Sequence, residues 1–183
     1  MHWLNFKRYK SDVAKQAVPP HLNAAEFARH YADKPQADTE EYLSLSGEMC
    51  WDAVVLCAHR SGALSKAKYK QLWQTEFDKQ YKHFVSPDDT EIRTMADMLR
   101  APQGCFIGIF SLRDATAPRL LHAMIGTGAG FAAGNKNLCI GVGGAVGWEN
   151  LNLARDLRWQ PEGGFLRQGD NEVLRIFYRP FPA

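Results

Sequence analysis

Gly47-Glu48-Met49-Cys50-Trp51-Asp52-Ala53-Val54-Val55-Leu56-Cys57-Ala58 is the stretch from which the rest of the chain can be read. A small polar run, Ser44 to Gly47, gives way abruptly to a largely apolar segment that ends at Gly62. That is the pattern of a buried helix with a serine or glycine start and a glycine stop. Cys50 falls in its first turn. Unpaired backbone N–H groups and the positive end of the helix dipole favour thiolate over thiol there, so Cys50 is expected to act as a nucleophile near neutral pH. The competing reading is a cysteine packed in the core.

Downstream, the hydrophobic period changes from helical to strand-like. Ser65 is expected to begin a long helix with Tyr69, Trp73, Phe77 and Tyr81 on one face, an aromatic stripe that reads as core packing. Ser86-Pro87-Asp88-Asp89 predicts a further helix carrying Ile92, Met95 and Leu99 inward and stopping before Pro102. Cys105 to Phe110 is short and β-rich, the pattern of a central strand. Arg119 to Thr127 follows as a second strand, with a tight Gly128-Ala129-Gly130 turn and a return over Phe131 to Ala133. Leu138 to Val142 is expected as a fourth strand, then a glycine-rich bend (Gly143, Gly144, Gly147), and Glu172 to Tyr178 as a closing strand. Trp148 to Trp159 carries no decisive pattern. Upstream, residues 1 to 20 read as a short amphipathic arm (Trp3, Phe6, Tyr9) closed by an extended Pro19-Pro20, and Asn23 as the cap of a helix over Ala24 to Tyr31. Helices first and strands second predict an α+β domain with helices packed on one antiparallel sheet.

Composition narrows the function classes. At 183 residues the chain suits one well-buried domain. A formal net charge of +2, with no Lys/Arg block longer than a pair, gives no electrostatic footprint for nucleic acid. No apolar run approaches a membrane span, and Met1 to Lys10 lacks the hydrophobic region of a secretory signal, so a cytoplasmic product is expected. Cys50, Cys57, Cys105 and Cys139 show no CxxC spacing, which favours reduced thiols over a disulfide framework. Cys50, Cys57 and His59 lie too far round one helix to share a metal. Nor does the run Gly141 to Gly147 carry the Gly-Lys-Ser/Thr of a phosphate loop, so it reads as a bend near the sheet edge. No metal and no cofactor is expected.

Of the six histidines, His122 alone falls inside an expected sheet strand. A histidine there is often a half-buried core residue. A cysteine nucleophile at a helix start nevertheless needs a base within hydrogen-bond reach, and a strand against that helix supplies one. The short turn at Gly128 to Gly130 brings Gly134, Asn135, Lys136 and Asn137 back alongside His122, with residues near 134 and 135 opposite it.

The segments Pro102-Gln103-Gly104-Cys105-Phe106-Ile107-Gly108-Ile109-Phe110 and His122-Ala123-Met124-Ile125-Gly126-Thr127-Gly128-Ala129-Gly130 resemble the second half of the NlpC/P60 domain of papain-like cysteine peptidases. In that family a P-G-D-L-hydrophobic strand precedes an H-V-G-I-x-x-G-x-G hairpin, with the nucleophile upstream at a helix start. The resemblance implies Cys50 as nucleophile and His122 as base. The third polar residue falls on Gly134 or Asn135; glycine cannot orient a base, so Asn135 is the candidate, with Asn137 behind it. Ser44 and Gln103 are side-chain candidates for the oxyanion site, beside the Cys50 backbone N–H. The likeness spans residues 44–143, with residues 1–40 as an N-terminal arm and 144–183 as a C-terminal extension. Met49-Cys50-Trp51-Asp52 stands where the family has Asp-Cys-Ser-Gly, and Cys-Trp resembles the amidase-type toxins and effectors that bacteria use against competitors.

The resemblance implies a cysteine peptidase or amidase acting on a peptide or amide, such as a peptidoglycan stem peptide. It also suggests delivery by a dedicated secretion system and an inhibitor or immunity protein as partner. Two alternatives stay open: a papain-like deamidase or acyltransferase acting on a protein or lipid, and a non-catalytic binding module on the same fold.

Overall fold

The computed structural model describes residues 18–32, 34–83, 90–113 and 118–181. The expected amphipathic arm around Trp3, Phe6 and Tyr9, and the Ser86-Pro87-Asp88-Asp89 helix start, lie outside them. In chain order the helices are α1 (Pro20–Tyr31), α2 (Glu40–Gly47), α3 (Cys50–Arg60), α4 (Lys66–Trp73), α5 (Met95–Arg100) and α6 (Leu153–Asp156). The strands are β1 (Glu91–Ile92), β2 (Phe106–Ser111), β3 (Arg119–Gly128), β4 (Phe131–Asn135), β5 (Trp148–Asn152), β6 (Arg158–Trp159), β7 (Phe165–Leu166) and β8 (Val173–Arg179). They form one antiparallel sheet in the order β5-β4-β3-β2-β8-β7-β6, with β1 paired to β8. The class is α+β.

Every residue of β2 is buried, because the sheet is covered on both faces. Phe106, Phe110, Ala123 and Ile125 face the α3 side with Trp51, Val54 and Val55. Ile107, Ile109 and Met124 face Ile92, Met98 and Leu153 on the other side. This period-2 alternation divides one sheet between two cores. Between β2 and β3 the register shifts: Ile109 lies opposite His122 and Phe110 opposite Leu120, so Leu121 bulges just ahead of the histidine.

Several expected elements take another form. Helix α1 starts at Pro20 rather than after Asn23, since proline at the first helical position has the required φ and no N–H to leave unpaired. Thr39, with its side chain accepting from the Tyr42 N–H and two acids behind it, starts the short helix α2, which takes in the small polar run Ser44 to Gly47. The long aromatic helix is broken. Helix α4 ends at Trp73 because the Leu72 carbonyl accepts from the Thr75 N–H and the Trp51 indole Nε1–H (2.9 Å), and Phe77–His83 continues as a 3-10 segment. Ile92 belongs to strand β1 opposite Ile176, and α5 begins later, at a capping box between Thr94 and Asp97. Met98 is its buried residue, while Met95 and Leu99 are exposed. The expected strand over Leu138 to Val142 is instead a 3-10 turn, Asn137–Ile140, set between left-handed Lys136 (φ 52°) and Gly141 (φ 85°).

Gly104 locks α1 against the sheet. It has φ +77°, and a Cβ built there would lie 1.8 Å from the His21 carbonyl oxygen. Gly104→Ala should therefore destabilise the protein by at least about 2 kcal/mol, read as a lower urea midpoint with an unchanged slope.

Candidate active site

Cys50 is the first residue of α3, behind an extended Met49. The two buried halves of this neighbourhood are tied together by the end of β4. Asn135, fully buried, donates from Nδ2 to the carbonyls of Leu45 and Glu48, both at 2.7 Å. The Lys136 ammonium donates to the carbonyls of Glu48 (2.7 Å) and Gly47 (3.3 Å). These bonds satisfy carbonyls that the end of α2 leaves without helical partners. They also fix the turn from which the cysteine helix sets out.

His122 is fully buried on β3, on the Met124 side of the strand. Its Nε2 lies 2.9 Å from Asn137 Oδ1. The left-handed turn at Lys136 folds Asn137 back under β3, which a continued strand would not do. Asn137 Nδ2 donates to the Gly134 carbonyl and to Glu149 Oε2, both at 3.0 Å. With its amide hydrogens engaged there, the oxygen is the atom left to face the ring, so His122 donates from Nε2 and keeps a lone pair on Nδ1. Nδ1 has no hydrogen-bond partner among the described residues, the Cys50 sulfur included.

Helix position and burial act in opposite directions on the thiol. Burial pushes Cys50 above its ordinary value, while the backbone N–H groups of Ala123 and Trp51 and the Lys136 ammonium favour the thiolate. Burial wins, so the helix start alone does not make the free protein a thiolate, contrary to the expectation from sequence. Burial likewise depresses His122 to about 4, against the Asn137 hydrogen bond that raises it. At neutral pH the pair is thiol and neutral imidazole. Cys50 packs on the α3 side of β3, where the Ala123 N–H favours its thiolate, whereas His122 faces the Met124 side, so the two side chains are not bonded to each other at rest.

The other expected site residues are dispersed. Asn135 does not reach the ring; it holds the α2–α3 turn, and Asn137 is the residue bonded to His122. Gln103 donates to the Thr127 carbonyl at 3.0 Å, at the far end of β3. Five strand residues, about 16 Å, separate that point from His122, so Gln103 serves no oxyanion at Cys50. Ser44 takes part through its carbonyl, which accepts from the Glu48 N–H at the end of α2. Trp51 is core: its ring is buried and stacks on Phe106. Cys57 and Cys105 are buried, and Cys139 is exposed on the Asn137–Ile140 turn. Among the described residues no group of His, Cys, Asp or Glu side chains is arranged to hold a metal ion. Glu149 escaped the sequence reading because it lies in a segment without periodic pattern, fourteen residues beyond Asn135.

No protein-family model, curated protein or solved structure matches the chain. Among the described residues no helix is long and apolar enough to cross a membrane.

The depressed His122 ties stability to pH. The unfolded chain takes up a proton near 6.5 and the folded one only near 4, so stability is full above about 6.5 and falls as pH drops towards 4. The imidazole should contribute a loss of about 3 kcal/mol over that window. Urea midpoints of the wild type and His122→Gln, compared between pH 7 and 4, should converge on the acid side; parallel curves would rule this out.

Proposed function

We propose that this protein is a cysteine-dependent amide hydrolase, a peptidase or amidase on a papain-like fold of the NlpC/P60 kind. Cys50 is its nucleophile, His122 its base and Asn137 the residue that orients the base. The observation that carries this reading is the buried His122–Asn137 hydrogen bond, which leaves Nδ1 as an unengaged acceptor on the strand whose next amide favours the Cys50 thiolate.

The chemistry follows from that tautomer. In the proposed reaction the Cys50 sulfur and His122 Nδ1, unbonded at rest, come within reach when substrate binds. As the sulfur attacks the carbonyl carbon its proton passes to Nδ1, and the imidazolium is stabilised by donating to Asn137. The carbonyl oxygen becomes an oxyanion that accepts from the Cys50 backbone N–H, a first-turn amide with no helical partner. His122 returns the proton to the leaving nitrogen as the C–N bond breaks. Water, deprotonated by the same Nδ1, then cleaves the thioester and restores the thiol. Because the resting pair is neutral, the acid limb of kcat/KM belongs near pH 4, where His122 takes up its proton, and the rate should not fall between pH 5 and 7.

The substrate is a peptide or amide, with peptidoglycan stem peptides favoured by the resemblance to NlpC/P60 enzymes and by the Cys50-Trp51 pair. A toxin or effector role follows from the same likeness, with export by a dedicated secretion route and an immunity protein as partner.

Cys50→Ala and His122→Ala should abolish release of new amine from stem peptides, the histidine variant by on the order of 10²–10⁴-fold. Asn137→Ala should lower kcat with little change in KM. Asn135→Ala should instead cost about 1–3 kcal/mol of stability, because the buried Leu45 carbonyl loses its side-chain donor while Glu48 keeps only Lys136. Ammonia from a glutamine-bearing protein would make it a deamidase, and transfer to an added amine an acyltransferase. Wild type and Cys50→Ala equally inert on every amide, yet binding wall fragments alike, would leave a binding module.

A further inference from the structure

Glu149 carries no role in the chemistry above, yet its hydrogen bonds converge on the support of His122. It is the second residue of β5 and pairs across the sheet with Gly134. Its Oε2 accepts from Asn137 Nδ2 at 3.0 Å and from the Gly144 N–H at 2.7 Å. Among the described residues it forms no ion pair. A half-buried carboxylate without a cation is held in place by what it accepts.

We propose that Glu149 is a positioning residue for the imidazole base: by holding the Asn137 amide it keeps the amide oxygen on His122 and the ring in its Nε2–H form. The role in catalysis rests on the hydrolase reading; the control of the tautomer does not. An asparagine side chain presents one acceptor and one donor group of nearly equal shape, so its direction is decided by its neighbours. Asn137 is fully buried, and solvent does not decide it. One neighbour, the Gly134 carbonyl, is a neutral acceptor; the other, Glu149, is an anion. Turning the amide over would set its oxygen against both acceptors and its N–H groups against the ring. His122 would then have to accept at Nε2, place its proton on Nδ1, and cease to be a base towards Cys50.

The surrounding backbone is shaped to admit this pair. Gly143 has φ +68°, and a Cβ there would lie 2.8 Å from Glu149 Oε2 and 2.9 Å from Asn137 Cβ. A Cβ on Gly134 would lie 3.2 Å from Asn137 Oδ1. The glycines of the 141–147 bend thus let the main chain close over the carboxylate, with the Gly144 N–H as its second anchor.

The experiment compares Glu149→Gln and Glu149→Ala in the full chain. A glutamine oxygen at the Oε2 position still accepts from Asn137 and Gly144 without the charge, whereas alanine removes the acceptor. Long-range nitrogen–proton NMR of the His122 ring reports its tautomer directly, independent of turnover. The wild type and Glu149→Gln should show Nε2–H, and Glu149→Ala a mixture with Nδ1–H. If hydrolysis is the activity, kcat should fall by on the order of 10²-fold in Glu149→Ala with KM unchanged, and recover in Glu149→Gln. Should Glu149→Ala not fold, Glu149→Leu, which fills the same space without an acceptor, should give the same mixture. Pure Nε2–H in a folded Glu149→Ala or Glu149→Leu variant would overturn the proposal, as would Glu149→Gln behaving like Glu149→Ala. A wild type inert on every amide would sink the hydrolase reading alone, and the ring spectra would still decide the role of Glu149.

Discussion

The hydrogen bond between His122 and Asn137 is the constraint on which the centre of this molecule depends. An imidazole with no solvent exposure, on a strand covered from both faces, must have its N–H met by protein or lose the free energy of an unmade bond. Meeting it requires a polar residue on the Met124 side of β3, where neighbouring positions are apolar. The chain provides one by leaving β4 through a left-handed lysine and folding a 3-10 turn beneath the strand. A non-glycine residue in that conformation is strained. Lys136 is held there by the carbonyls of Gly47 and Glu48, so the strain that delivers Asn137 also secures the start of the cysteine helix.

Burial is the second organising influence, and it opposes ion-pair formation. It raises the Cys50 thiol and depresses His122, so the resting protein holds two neutral groups. In the proposed reaction a proton leaves the cysteine only when something stabilises the charges that result. The N–H groups of Ala123 and Trp51 and the ammonium of Lys136 are placed for the thiolate, and Asn137 for the imidazolium. Polar groups fixed in advance in a dry site act strongly because they do not have to reorganise.

Local signals were legible where a short-range rule governs. The helix at Cys50 and the strands at Cys105, Arg119, Phe131 and Glu172 follow from period and turn residues, with ends that differ by a few positions. Helices α2 and α5 have proper sequence starts, Thr39 with two acids and Thr94 with Asp97, but neither is long enough to show a period. The aromatic run from Tyr69 to Tyr81 failed as one helix because a carbonyl within it is claimed by an indole 21 residues away. That bond has no local signature.

From sequence alone came the α+β class, the placement of Cys50 at a helix start and His122 on a strand, and two asparagines within reach of the histidine. Those features depend on spacing and residue type over a dozen positions. Tertiary structure alone assigned the asparagines: Asn135 to the carbonyls of the α2–α3 turn and Asn137 to the imidazole. It also brought in Glu149 and moved Gln103 to the other end of β3. The reason is geometric. Alternation along a strand tells which face a residue takes only while the strand lasts, and one left-handed residue at 136 reverses the chain beyond it.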